Sequence, residues 1–192
     1  MGGGYLTNPL VFLVQVLCGA YALIVMLRFL LQLVRADFHN PVSQFVVRLT
    51  TPLLRPMRRV IPAAGLIDTS SLLLAWLVSA IELLLIMLIL GRGMQPLAAL
   101  LGALPQLAQL AIHIFLFSIL IQVILSWVGG GYNPAASVIH SLTEPLLAPA
   151  RHLLPPIGGL DLSPMATMVG LVLLEMLLIP PLEALVATLT GG

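Results

Sequence analysis

Residues 40–71 read NPVSQFVVRLTTPLLRPMRRVIPAAGLIDTSS, and residues 133–164 read NPAASVIHSLTEPLLAPARHLLPPIGGLDLSP. Superposed without a gap at a constant offset of 93 residues, the two stretches share Asn40 with Asn133, Pro41 with Pro134, Thr50 with Thr143, Pro52 with Pro145, Pro56 with Pro149, Arg58 with Arg151 and Asp68 with Asp161. Pro62, Gly65 and Ser70 meet Pro155, Gly158 and Ser163 in the same alignment. A fixed period over more than thirty residues is the signature of a duplicated unit, and it organises the rest of the chain.

Outward from each copy the sequence turns apolar. The 192 residues are 60% hydrophobic and 8% charged, with a mean hydropathy of +1.13, against about 25% charged in soluble domains. The basic residues are all arginine and the net charge is +1, so no global field steers nucleic acid or acidic substrates and none is expected as a partner. The segment Met1 to Tyr5 lacks the basic start of a secretory leader, and no cleaved leader is expected. A lone Cys18 excludes an intramolecular disulfide and reads as a small core residue.

Crossing about 30 Å of hydrocarbon takes roughly 17 to 25 apolar residues. Four runs qualify: Leu10 to Val34, Ser71 to Leu90, Gln106 to Val128 and Pro164 to Ile179. Pro9, Pro105 and Pro164 stand where helices begin, and Gly91 and Gly129 where they end. Pro180-Pro181 is expected to stop the last span, leaving Leu182 to Thr190 as a short amphipathic tail. The expected fold is therefore an all-α membrane protein of four transmembrane helices in two tandem parallel repeats. Each repeat, residues 1–91 and 106–192 with a linker at 92–105, holds a proline-rich motif between its two spans.

Both motifs then lie on one side. Arg35, Arg48, Arg55, Arg58, Arg59 and Arg151 accompany them, while Arg92 stands alone on the other side, so the positive-inside rule predicts cytoplasmic motifs and outward termini. Val42, Phe45, Val46, Leu49 and Leu53 recur on one helical face, with Ser43, Gln44, Arg48 and Thr50 opposite. That pattern predicts a helix lying in the membrane interface, apolar side down. The motif prolines argue against one long helix and for short turns or a shallow re-entrant hairpin.

Four sets of residues could carry chemistry. Arg55, Arg58 and Arg59, reduced to Arg151 and His152 in the second copy, form a basic cluster that either fixes topology or binds anionic phospholipid or an acidic protein face. Asp68 and Asp161 read as caps of the following spans, with an ion pair to Arg58 and Arg151 as the other reading. Inside the membrane, Glu82 and Glu175 obey the same offset, and carboxylates at that depth cost on the order of 3 kcal/mol. Counting rises of about 1.5 Å per residue, their heads are expected to meet Arg28 and Gln122, giving an Arg28–Glu82 pair and a Gln122–Glu175 hydrogen bond. Those pairs either fix helix packing or, with His113 nearby, carry a proton or cation. No HExxH, GxSxG, Walker loop or GxGxxG occurs, so no enzyme, cofactor or metal site is expected.

The motif strings Asp37-Phe38-His39-Asn40-Pro41, Pro52-Leu53-Leu54-Arg55-Pro56-Met57-Arg58-Arg59 and Gly65-Leu66-Ile67-Asp68, with Ser126-Trp127 and Glu144-Pro145-Leu146-Leu147 in the second half, resemble the YggT family of bacterial inner-membrane proteins, whose relatives include YlmG. The resemblance spans nearly the whole chain. It implies a role in tolerance of osmotic or ionic stress through cation homeostasis, or in cell division and membrane assembly with a membrane or cell-division protein as partner. It supplies no catalytic residues. The second copy departs from the first at Ala136, Ser137 and Ala148, where Ser43, Gln44 and Arg55 stand. The favoured expectation is a non-enzymatic protein working through lipid and protein contacts at its motifs. The competing one is a cation or proton transporter component, in which a homo-oligomer would relieve the crowding of a pore among four spans.

Overall fold

Six helices carry the sequence: α1 (Gly3–Leu33), α2 (Pro41–Val60), α3 (Thr69–Ile89), α4 (Pro96–Val128), α5 (Pro134–Leu153) and α6 (Ser163–Thr190). They come from a computed structural model that describes residues 3–61, 67–128, 133–154 and 161–191. Pro62, Gly65, Pro155, Gly158 and the triple glycine 129–131 lie outside the described residues, among which no strand occurs. Four helices, α1, α3, α4 and α6, are long and apolar enough to cross a membrane. At 1.5 Å per residue they measure roughly 46, 31, 50 and 42 Å, against about 30 Å of hydrocarbon.

Their surfaces suit lipid rather than water. Phe12, Phe117, Trp127, Met176 and Leu177 all stand well exposed, Trp127 at 80%. Apolar area on that scale would aggregate in water but is in contact with its own kind in a bilayer. The spans neighbour one another in the order α1, α3, α4, α6. Small residues let them approach: Ser71, Ala75, Ser79 and Ala80 of α3 and Ala99 and Ala103 of α4 are buried. A Cβ on Gly102 would come within 3.3 Å of Leu83. Trp76 Nε1 closes the same seam by donating to the Leu100 carbonyl at 2.8 Å. Between α1, α3 and α4 the packing is aliphatic, built on Val25, Met26, Leu30, Leu31, Leu74 and Leu107.

The motif helices start alike. Asn40 accepts from the Val42 amide and Asn133 from the Ala135 amide, both at 2.9 Å, each followed by proline at the first helical position. Asn40 is 4% exposed because it also donates, through Nδ2, to the Pro134 carbonyl at 2.8 Å. That bond holds the beginnings of α2 and α5 together at one end of the bundle. The spans also stop by recognisable chemistry. Gly91, at φ +69, lets the Arg92 amide reach Met87 O and its own amide reach Leu88 O. Arg35 adopts the same left-handed turn at φ +54 after α1, a conformation that costs a non-glycine residue about 1 kcal/mol.

Prolines do not break these helices. Pro52 and Pro56 lie within α2, Pro145 and Pro149 within α5, and the expected string of short turns is in each case one 20-residue helix. Pro9 and Pro105 likewise sit inside α1 and α4, and ten residues assigned to a linker, 96–105, form the start of α4. Nor does Pro180-Pro181 end the last span, since α6 continues to Thr190. Proline forfeits one amide donor and crowds the carbonyl four residues back, but its fixed φ is helical. Within the spans α1, α4 and α6 an interrupted backbone would leave still more groups without partners in hydrocarbon, so there continuing the helix is the lesser cost.

Replacing Asn40 by Ala removes both a cap and the bond to α5, whereas Asn133→Ala removes a cap alone. Thermal unfolding in detergent should show Asn133→Ala losing about 1 kcal/mol and Asn40→Ala measurably more. Equal losses would mean that the Asn40–Pro134 bond contributes nothing.

Candidate functional site

Arg28 occupies the last turns of α1, is 6% exposed, and does not meet Glu82. Its Nη1 donates to Thr50 Oγ1 at 2.5 Å, to the Val47 carbonyl at 3.2 Å and to Thr51 Oγ1 at 3.3 Å, all on α2. Thr50 in turn donates to the Val46 carbonyl at 2.7 Å. The second half repeats the contact with an amide: Thr143 Oγ1 donates to Gln122 Oε1, tying α5 to α4. Both expected pairings with glutamate are therefore corrected, for one reason. Arg28 lies roughly 8 Å from the motif end of α1 and Glu82 roughly 20 Å along α3. The motif helix brings hydroxyls to the level of Arg28, so its side chain has no need to reach up to the glutamate.

The side of α2 that packs on the bundle lies opposite most of its apolar stripe. Ser43, Val46, Thr50 and Leu54 pack against the bundle, while Phe45, Leu49 and Leu53 face outward, Phe45 at 60% exposure. Thr50 faces inward where its hydroxyl bonds Arg28 and the Val46 carbonyl, and the small Ser43 side chain allows close approach.

Asp68 and Asp161 join the motif helices to the spans that follow. Asp68 is 1% exposed, accepts from the Ser71 amide at 3.3 Å and the Ser71 hydroxyl at 2.6 Å, and forms an ion pair with Arg58. Cap and ion pair thus coexist. Burial by itself would raise the Asp68 carboxyl, but the hydrogen bonds from Ser71 and Arg58 outweigh it and hold it below the ordinary carboxylate range. Asp161 stands one residue before the cap position of α6 and accepts from the Ser163 amide at 2.9 Å. Arg151 reaches it through Nε at 3.3 Å and binds both Glu144 oxygens through Nη1 at 3.0 Å. Arg55 and Arg59 of the basic cluster are exposed on the surface of α2.

The two intramembrane glutamates both turn to α4. Glu175 Oε1 accepts from Gln109 Nε2 at 2.8 Å, and His113 Nε2 lies 3.1 Å from the same oxygen. Glu82 is buried with Gln106 as its side-chain hydrogen-bonding neighbour. Sequence reasoning missed Gln106 and Gln109, although the signal was present: Gln106, Gln109 and His113 recur at i, i+3 and i+7, one polar stripe on an apolar span. Beside that stripe lies a cavity of about 520 Å³ lined by Gln95, Gln106, Gln109, Glu183 and Thr190, opening between α3, α4 and α6 at the end away from the motif helices.

The CCB3/YggT family profile matches residues 7–89 and 101–182. An uncharacterized protein of Pseudomonas aeruginosa is 46% identical over 183 residues, covering 94% of this chain and 93% of its own. The uncharacterized protein YggT of Escherichia coli K12 is 39% identical over 169 residues, 88% of each chain, and a Vibrio alginolyticus protein is 41% identical over 166 residues, covering 85% of this chain and 90% of its own. No solved structure matches the chain at a significant level.

The depressed Asp68 carboxyl makes a stability contribution that is present above the ordinary aspartate range near pH 4 and is lost as pH falls through its lower folded value. Asp68→Asn keeps the capping oxygen but not the charge. Unfolding in detergent should find the variant less stable at pH 7 and the difference closing below about pH 4. A gap that persists unchanged in acid would show that Asp68 acts without its charge.

Proposed function

The chain belongs to the CCB3/YggT family, and we propose that it is a non-enzymatic membrane protein of the bacterial inner membrane whose helices α2 and α5 lie in the cytoplasmic interface, binding anionic phospholipid and a protein partner in support of membrane assembly or tolerance of osmotic and ionic stress. The observation that carries the reading is the three-sided build of α2. One side, Ser43, Val46, Thr50 and Leu54, is packed on the bundle. A second, Phe45, Leu49 and Leu53, offers exposed apolar groups, and a third carries exposed Arg48, Arg55 and Arg59. A helix docked on a transmembrane bundle with both an apolar and a basic outer face suits the boundary between acyl chains and anionic headgroups. Each basic residue there contributes about 1 kcal/mol of attraction.

Six arginines accompany α2 and α5 at one end, against Arg92 alone at the other, which favours a cytoplasmic position for that end and outward termini. Two tandem units, 1–91 and 106–192, account for the matching caps at Asn40 and Asn133, the matching threonine ties at Thr50 and Thr143, and the matching Arg–Asp pairs.

A second reading draws on the polar stripe of α4. Glu82 and Glu175 beside Gln106, Gln109 and His113, next to a cavity open at the far end, are the parts of a half-path for a proton or small cation. The aliphatic packing among Val25, Leu30, Leu74 and Leu107 between α1, α3 and α4 weighs against a continuous path through one copy of the chain.

Three measurements separate these readings. In a Cys18→Ser background, single cysteines introduced near positions 55 and 150 should both label only from the cytoplasmic side. In reconstituted vesicles, the preference of spin-labelled phosphatidylglycerol over phosphatidylcholine for the protein surface should fall when Arg55 and Arg59 become Ala, a pair that spares the Arg58–Asp68 contact. An unchanged preference counts against lipid binding by α2. Glu175→Gln should leave that preference intact, whereas loss of cation or proton flux in this variant would establish the second reading instead.

A further inference from the structure

Arg28 has more charge than its contacts require. In the second half the neutral amide of Gln122 makes the equivalent tie to Thr143, so a guanidinium is not needed to hold a motif helix. A buried cation is costly unless paired, yet among the described residues no carboxylate lies within ion-pairing distance of Arg28, and its Nε has no hydrogen-bond partner. Asp68, an acid whose charge acts on Arg28, is already engaged by Arg58 and Ser71.

Arg28 lines a cavity of about 430 Å³ between the end of α1 and α2, with Gln32, Phe38, Gln44, Arg48 and Arg58. Three guanidiniums and two side-chain amides thus converge on one open pocket. Arg48 and Arg58 both stand exposed on its rim. At the 93-residue offset the second half has Ser137 for Gln44 and Ser141 for Arg48, and Gln122, one residue beyond that offset, makes the tie that Arg28 makes in the first. Only Arg151 is kept, bound to Glu144 and Asp161. The excess charge is confined to one copy, as a site would be, whereas the residues that tie helices together occur in both.

We propose that this pocket binds a phosphate-bearing anion, with the unpaired Arg28 at its floor and Arg48 at its rim as the principal ligands, Arg58 lending only the donors its pair with Asp68 leaves free, and Gln32 and Gln44 as donors to the remaining oxygens. Guanidinium groups match tetrahedral oxyanions through paired N–H donors, and such charge-assisted bonds are the stronger kind. The volume falls in the ordinary range for small-ligand pockets of about 300 to 1,000 Å³, leaving room for a substituent on the phosphate. The anion is a phospholipid headgroup or a soluble phosphate. For the lipid source, the inference rests on the reading of α2 as a helix at an anionic leaflet.

The purified full chain in neutral detergent, titrated with dioctanoyl phosphatidic acid, glycerol 3-phosphate or dioctanoylglycerol and followed by native mass spectrometry, tests the site without a leaflet. Binding of phosphatidic acid alone assigns the lipid headgroup, and binding of both phosphates assigns a soluble ligand. Either result supports the pocket, provided that dioctanoylglycerol does not bind. Arg48→Gln should weaken the phosphate ligand about tenfold, the loss of roughly one charge-assisted contact. Arg28→Gln, which copies the second half and so preserves the tie to Thr50, should weaken it at least as much. Arg55→Gln, on α2 but outside the pocket, should change it less than twofold. No binding of either phosphate, or equal losses from Arg48→Gln and Arg55→Gln, overturns the proposal. The leaflet reading can fail separately, through an unchanged spin-label preference in the Arg55 and Arg59 variant while the pocket still binds.

Discussion

The tie between a polar side chain near the end of a span and a threonine on the helix that follows is the constraint from which the architecture grows. Arg28 to Thr50 in one half and Gln122 to Thr143 in the other draw α2 and α5 onto the bundle. Without that tie an amphipathic helix between two spans would be free to lie anywhere on the leaflet. With it, Asp68 meets Arg58 and Asp161 meets Arg151, so each motif helix is fixed at both ends to the spans on either side. Small residues between α3 and α4 then let the two halves close together.

The two halves differ in what surrounds these shared ties. Thr50 and Thr143, and Asp68 and Asp161, retain matching roles. The surroundings differ: the first half collects arginines around a pocket, while in the second Arg151 is neutralised by Glu144 and Asp161. The second half instead places an intramembrane hydrogen-bonded cluster at Glu175, with two partners where Glu82 has Gln106. The residues that tie helices together match between the halves, and the polar residues that packing does not need differ.

Much of this was legible in the sequence. Composition and run length indicated four spans, and the offset of 93 residues picked out Thr50, Asp68 and Arg58 with their counterparts. The capping oxygens of Asp68 and Asp161 were readable because capping is local. Arg28 and Glu82 were not, because counting along two spans says nothing of the hydroxyls that a third helix, α2, brings to the level of Arg28. Prolines misled in α2, α5 and α6 for a different reason. Their cost is one lost donor each, and their fixed φ is itself helical, so a helix held by its neighbours runs through them.

That same cost has a mechanical consequence in α6. Pro180 and Pro181 cannot donate to the carbonyls of Met176 and Leu177, so two consecutive rungs of the hydrogen-bond ladder are missing at one level of the helix. Flexing at that level breaks nothing that was made. Beyond it lie Glu183, Val186, Ala187 and Thr190, which form one wall of the cavity whose opposite wall carries Gln106 and Gln109. Pro105 leaves a like gap in the facing wall, so the backbone on both sides of that cleft lacks rungs where its polar groups stand.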